Sequence, residues 1–364
     1  MSSDFFDKPF NEDTNVKLDL YREYLKKWFP VFLAPPNPFR KKLNVFDYFC
    51  GPGKDSEDTF GSPLIAIEVL NSYKDLVEST IVEINLHFND SNPKYIEELK
   101  HNIEKLEFNR KKINIEFYNQ DFVKLFPETL GIFDNSANLI FLDQFGIKYV
   151  DNETFQTLIK LKVTDILFFT SSSTFNRFPD DPNVTKIIGL SSDEIKAKQF
   201  YDIHRLVHQK YSDLIPEGYS YCLAPFSIKK GTNIYGLIFG SGHPLGMEKF
   251  LDICWEKDEE TGEANFDIQG DKQLKVQPSL FNEDNDQTKK AVFQNKLKEK
   301  ILLGDLKNDL EIFVYSINNG FTAKHIRPVI RELKNSGKIN MKHPSFKCST
   351  VWSYNREPKK VELF

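Results

Sequence analysis

A strand that stops at glycines and restarts as a helix is written into Asn44-Val-Phe-Asp-Tyr-Phe-Cys-Gly-Pro-Gly53 and Gly61-Ser-Pro-Leu-Ile-Ala66. Glycine lets a backbone approach a ligand that a side chain would hold away, and a helix start offers N–H groups with no partner of their own. Ser62 reads as the N-cap of that helix and Pro63 as its first helical position. Asp47, at the end of the strand, can hold a cationic or hydroxylated ligand beside the loop. The same pattern also makes a plain tight turn, so its meaning depends on the rest of the chain.

Strand and helix alternate on either side of this loop. Val16 to Phe29 spaces Leu18, Tyr21, Leu25 and Trp28 as one face of a helix, and Pro35-Pro-Asn-Pro38 ends it before the glycine-loop strand. Further strands are read over 79–90, 113–118, 137–143 and 165–170, with helices over 62–71, 93–108 and 153–162 between them. This order calls for an α/β fold with a Rossmann-like, doubly wound parallel sheet, whose ligand lies beyond the carboxyl ends of the strands. Four acids fall at those ends: Asp47, Asp90, Asp121 and Asp143. A carboxylate after the second strand can accept from both ribose hydroxyls, and one after the third from an adenine amino group. Taken singly, each also reads as a cap or turn residue.

Two adenine-bearing cofactors fit such a frame. A dinucleotide needs its glycines to open directly onto the helix so that the pyrophosphate meets the N-terminus. Here the acidic stretch Lys54-Asp-Ser-Glu-Asp-Thr59 intervenes. It would repel a pyrophosphate but not a sulfonium, which favours S-adenosyl-L-methionine. At 364 residues, with 40% hydrophobic and 14% aromatic content, the chain can bury a large core and is not disordered as a whole. No apolar run reaches the ~18 residues of a membrane helix, and the start lacks a signal-peptide core, so a cytoplasmic protein is expected. Cys50, Cys222, Cys254 and Cys348 lie far apart and without metal-ligand spacing, so no metal is expected.

At Asp47 to Gly53, Gly61 to Ala66, Leu142-Asp-Gln-Phe-Gly146 and Asn233-Ile-Tyr-Gly-Leu-Ile-Phe-Gly-Ser-Gly-His-Pro-Leu-Gly246, the chain resembles the three-Cys-motif partner protein family, TcmP. The likeness extends to Gln277-Pro-Ser-Leu-Phe281 and a basic C-terminal module. That resemblance implies a bacterial protein with a class I S-adenosylmethionine-dependent methyltransferase sheet, and a protein partner bearing the three cysteines. It places Asp47, Phe49, Gly51 and Gly53 at the methyl donor, with Asp90 and Asp121 as ribose and adenine contacts. Asp143 and Phe145 would then serve as catalytic residues, the acid accepting from an acceptor amine and the ring stacking a base. Gln144 stands where the family pattern has proline, which would stiffen the turn and free a carbonyl. The departure leaves open whether the site is active or only binds cofactor.

Beyond the fifth strand, Ser171 to Thr174 and Arg177 read as a polar loop or as crevice lining, and about 174–213 as a helical insertion. His204 and His208, at i and i+4, read as an exposed helix feature rather than a metal pair. Two apolar segments, 218–228 and 234–239, are expected to close the sheet antiparallel, and His243 reads as structural. Residues 286–364 carry sixteen Lys and Arg against eight Asp and Glu, an excess of +8, whereas residues 1–285 carry −13 of the total −5. Helices near 289–303, 305–317 and 322–334, then a hairpin of 338–341 with 349–352, suggest a C-terminal winged-helix-like α+β module. In it Lys324, His325, Arg327, Arg331 and Lys334 would face a nucleic-acid groove. The expected organisation is a methyltransferase-like domain over 1–255, an acidic polar linker over 256–290 and a basic winged-helix-like domain over 291–364. The function expected is methyl transfer to a nucleic-acid base amine, with substrate recruited by the basic module. The alternative is a catalytically weak S-adenosylmethionine- or nucleotide-binding protein that senses cofactor and holds a protein partner.

Overall fold

The computed structural model describes residues 5–144, 146–268, 288–353 and 356–363. It divides into two compact units, Met1–Gly242 and His243–Phe364.

In the first unit seven strands form one sheet in the order β3-β2-β1-β4-β5-β7-β6. They are β1 (Lys42–Asp47), β2 (Glu83–Asn89), β3 (Ile113–Tyr118), β4 (Ala137–Leu142), β5 (Thr164–Thr170), β6 (Cys222–Lys230) and β7 (Asn233–Ser241). β1 to β5 run parallel, and β7 enters antiparallel to β5 and β6. This is the mostly parallel sheet, with helices between its strands, that the alternation called for. The helices in chain order are α1 (Glu12–Leu33), α2 (Ser62–Ser72), α3 (Lys74–Ser79), α4 (Pro93–Glu104), α5 (Phe122–Thr129), α6 (Asn152–Leu158), α7 (Ser172–Arg177), α8 (Pro182–Thr185), α9 (Ser192–Lys196) and α10 (Ile203–Asp213).

β1 and β4 are buried on both faces, as strands covered by helices on each side must be. One polar row crosses this core. Asn114, Asn85, Asn44, Asn138 and Thr164 are mutual register partners on five adjacent strands, and each amide donates to the next side chain at 2.9–3.2 Å. A one-residue slip of any strand would strand buried amides, so the row fixes the register. α1 is pinned from the other side. The Tyr21 ring stacks on Phe141 at 4.4 Å, and Tyr24 Oη and Trp28 Nε1 donate to the half-buried Asp165 carboxylate at 2.7 and 3.0 Å.

The second unit holds α11 (Pro244–Lys257), α12 (Lys289–Leu302), α13 (Asp309–Asn318), α14 (Ala323–Asn335) and α15 (Cys348–Val351), with the short pair β8 (Ile339–Asn340) and β9 (Glu362–Leu363). The hairpin expected of 338–341 with 349–352 is not what forms. β8 pairs with β9, and residues 348–351 are helical because Cys348 and Val351 bury themselves at i, i+3, a helical spacing that a strand cannot satisfy. The stretch read as a linker is described to residue 268 and again from 288, and Gln277 to Phe281 lie outside the described residues.

Candidate functional site

β1 delivers Asp47 to the carboxyl end of the sheet, and the chain turns there through Gly51 and Gly53 at φ +57° and +87°. Both values lie in the left-handed region open to glycine at little cost. The loop is knitted to the end of β2: Cys50 N–H donates to Asn89 O at 2.9 Å and Gly51 N–H to Asp90 Oδ2 at 3.1 Å. The acidic stretch folds on itself around Asp55. Burial works against that carboxylate's charge, but the amides of Phe10, Thr59 and Glu57 donate to it and hold it below the usual range.

α2 starts one residue earlier than Ser62 as N-cap would require. Gly61 is the N-cap, because its N–H donates to Gly53 O at 2.7 Å and its own carbonyl accepts from Ile65. That close approach of two backbones suits a residue without a side chain. Ser62 is thereby left inside the first turn, bordering the cleft.

Asp47 is fully buried and its carboxyl is pushed up to about 7. Burial is the main cause; the nearby Ser62 hydroxyl and the Phe49 amide pull the other way, while the negative charges of Asp143 and Asp90 add to the rise. Only Oδ1 has a properly formed hydrogen bond, from Phe49 N–H at 3.2 Å, and the buried Oδ2 has none. Asp47 therefore feels two of the other three strand-end acids. The fourth, Asp121, is exposed and caps α5, accepting from Val123 N–H at 2.9 Å. Asp90 is half-buried and accepts from the backbone of Gly51 and Asn92.

A cavity of about 250 Å³ opens beside the loop. Phe49, Gly53, Ser62 and Asp143 border it, but Asp47, Gly51, Asp90 and Asp121 do not. Phe49 is half-buried, with its ring 5.0 Å from Tyr149 and 5.5 Å from Phe122. Phe145 lies outside the described residues. Gln144 is buried and bound on both sides: Nε2 donates to Phe169 O at 3.1 Å and Oε1 accepts from Tyr149 N–H at 2.8 Å. Its side chain thus braces the turn that a proline would stiffen by its ring, and its amide is already committed to the backbone.

Several groups at this cavity were not singled out from sequence. Lys17, only 8% exposed, forms an ion pair with Asp143 and lies 4.9 Å from the centre of the Phe169 ring. Phe6, Phe10, Tyr235 and Lys230 also line the space. One signal was available. Lys17 stands four residues before Tyr21 and so shares its buried face, which is an unusual place for a lysine.

His204 overturns the expectation of an exposed pair. It is fully buried, with Nδ1 2.8 Å from Ser172 Oγ and Nε2 3.1 Å from Leu237 O, while His208 is half-buried. The imidazole lies against β7 where Gly236 has no side chain to block it. Ser172 and Ser173 are likewise buried, and Ser171 borders the cavity. Among the described residues, no group of His, Cys, Asp or Glu is placed to hold a metal ion, and no helix is long and apolar enough to cross a membrane.

In the second unit, α14 presents Lys324, Arg327, Arg331 and Lys334 as exposed residues. Arg327, Arg331 and Lys334 border a groove of about 440 Å³ whose far side is Pro344, Ser345, Phe346 and Lys347. His325 does not join them. It turns inward 4.1 Å from the Trp255 ring and accepts from Thr322 N–H, and burial first, then the charges of Lys324 and Lys290, push its pKa down to about 3. It is a capping and core residue because the N3 position of a helix points back at the N-cap.

A family model described as a GMT-like wHTH domain matches residues 263–345. Among solved structures, Trm1 from Pyrococcus horikoshii with S-adenosyl-L-methionine is similar over 97% of this chain and 92% of its own, at 14% identity and a TM-score of 0.36. An O-methyltransferase from Bacillus cereus with SAH is similar over 64% and 91%, at 11% identity and 0.32. The O-methyltransferase TomG from Streptomyces achromogenes with SAM is similar over 65% and 91%, at 9% identity and 0.34. A search of curated proteins found no match to the chain. The chain joins a mostly parallel seven-stranded sheet to a segment matched as a winged helix-turn-helix domain.

Proposed function

We propose that this protein is an S-adenosylmethionine-dependent methyltransferase acting on the amine of a nucleic-acid base, with the basic C-terminal unit recruiting the polymer. The observation that carries the reading is the Asp47 carboxylate. It is wholly buried at the glycine loop, has an oxygen without a hydrogen bond, and sits in the field of Asp90 and Asp143. An uncompensated negative charge at that place favours a cation, and a sulfonium is one. When bound, S-adenosylmethionine supplies an electrophilic methyl group. The chain's own part is to hold and exclude: Phe49, Gly53 and Ser62 border the donor, and Asp47 and Asp90 set the negative field. Asp143 orients the acceptor amine and accepts its N–H. Phe145 would stack the base, and Asp121 would take the adenine side.

Arg327, Arg331 and Lys334, with Lys324 on the same helix, would contact phosphates. The resemblance to the three-Cys-motif partner family further implies a bacterial protein working beside a cysteine-bearing partner. A division near residue 255, with a linker to about 290, belongs to the same reading.

A second reading is a cofactor sensor that transfers nothing. Two observations favour it: Lys17 already occupies Asp143, and Gln144 is spent on the backbone. Incubation with labelled methyl donor and mixed RNA and DNA separates the two. Label in the polymer that disappears with Asp143→Ala supports the enzyme. Tight binding of S-adenosylhomocysteine with no label transferred supports the sensor.

A further inference from the structure

We infer that residues 6–17 form a self-blocking strap: Phe6 and Phe10 take up room beside the glycine loop, Lys17 presents its own amine to Asp143, and the segment must give way before ligands enter. What enters rests on the methyltransferase reading above. The strap's own behaviour does not.

Gly51 has no side chain, yet the space it leaves is taken, because a methyl group built there would collide with the Phe6 ring. That ring is braced edge-on by Tyr95 at 5.1 Å and by Phe10 at 6.1 Å. On the acceptor side, Lys17 donates to Asp143 while its ammonium lies over the Phe169 face. An amine is the group that Asp143 was expected to receive, so Lys17 competes with it by like chemistry. With the strap in place the cavity is about 250 Å³. Ligand pockets usually run from roughly 300 to 1,000 Å³. The closed cleft is therefore too small for an adenosyl compound together with an acceptor.

Phe6 and Phe10 are only half-buried. Phe10 N–H donates to Asp55 at 2.6 Å, Asp13 pairs with Lys230 at 3.1 Å, and Asn11 caps α1 through Thr14 N–H. Residues 7–9 and 12 are exposed. From Leu18 onward α1 is a different material, with Leu20, Tyr21, Tyr24, Leu25 and Trp28 all buried. Segments with few buried apolar contacts open at the low end of the stability range while the core stays folded. Lys17 sits at the border of the two regimes, and its long flexible stem can swing away without moving the helix.

Amide hydrogen exchange and calorimetry on the full chain test this, using wild type, the double variant Phe6→Ala/Phe10→Ala, Lys17→Met and Lys17→Arg. In wild type without ligand, amides of residues 6–14 should exchange about tenfold or more faster than those of β1 and β4. S-adenosylhomocysteine should bind the double variant roughly fivefold more tightly, since less of the protein is held in a state that excludes it. Lys17→Met should bind it more tightly than wild type, and Lys17→Arg, which keeps the cation on Asp143, should not. Strap amides as slow as β1 would overturn the inference. So would weaker binding by the double variant, which would make the rings walls of the site. If no form binds S-adenosylhomocysteine, the donor reading fails and the exchange rates alone decide the strap.

Discussion

Asp47 and Asp309 are the same residue in the same degree of burial, each 0% exposed, and the two units treat them in opposite ways. Asp309 in α13 is satisfied from every side. It pairs with Arg356 and accepts from Ser345 N–H at 3.0 Å and Lys359 N–H at 2.8 Å. Burial alone would raise its carboxyl, but those donors outweigh burial and hold it below its ordinary value. Asp47 has one backbone donor, an oxygen without a hydrogen bond and two acidic neighbours, and its carboxyl rises to about 7. A completed network is what a structural carboxylate needs, and an incomplete one persists where a ligand is to complete it. The contrast separates the acid that holds a unit together from the acid held ready.

The largest effect expected is on the structural side. Asp309→Ala leaves Arg356 and two amides without their acceptor and should destabilise the C-terminal unit by about 3–5 kcal/mol in chemical denaturation. Loss of less than about 1 kcal/mol would break the comparison from that end.

At Asp47 the sign reverses. A carboxyl whose folded pKa lies above the unfolded value binds its proton more tightly in the fold, so its contribution is greatest below about 4 and is lost as pH rises through about 7. Asp47→Asn should therefore leave stability near pH 4 almost unchanged. At pH 8 it should stabilise the N-terminal unit by up to about 4 kcal/mol, the equivalent of a shift from 3.8 to about 7. A variant less stable than wild type at pH 8 would show that Asp47 is structural after all.

Gln144 is smaller in effect and sharper in meaning. Gln144→Ala removes two bonds from a buried turn and should cost about 1–3 kcal/mol. The same loss in methyl transfer without loss of stability would mean that the amide serves substrate and not the backbone.

Smallest of all is the surface of α14. Arg331→Ala should change unfolding by no more than about 0.5 kcal/mol. It should also weaken nucleic-acid binding and lower the salt dependence by about one unit of slope. Binding insensitive to salt would remove phosphate contact from the account.

The sheet was legible because its signals are local and repeated. Apolar runs such as 137–142 and 165–170, with helices between them, admit few arrangements, and β7 turns back antiparallel to β6 through a hairpin-length turn at Gly231. The acids at strand ends were legible for the same reason, since strand ends carry them to one edge. The features that were not legible depend on distant partners. Gly61 displaced Ser62 as N-cap through a bond to Gly53, and His204 went into the core because Gly236 and Ser172 receive it. The second wing strand failed because burial at Cys348 and Val351 outweighs a β-prone stretch. The strap was invisible since a polar N-terminal segment has no periodicity of its own. Only Lys17, out of place on an apolar face, pointed to it.

What most needs testing is that the buried, incompletely bonded Asp47 carboxylate behind the glycine loop awaits a cationic adenosyl ligand. Calorimetric titration with S-adenosylmethionine near pH 7, in two buffers of different ionisation enthalpy, tests it most directly. Binding to wild type should release about half a proton, as the cation draws Asp47 into its charged form, and binding to Asp47→Asn should release none. Binding with no proton exchanged, or equal exchange by the variant, would contradict it.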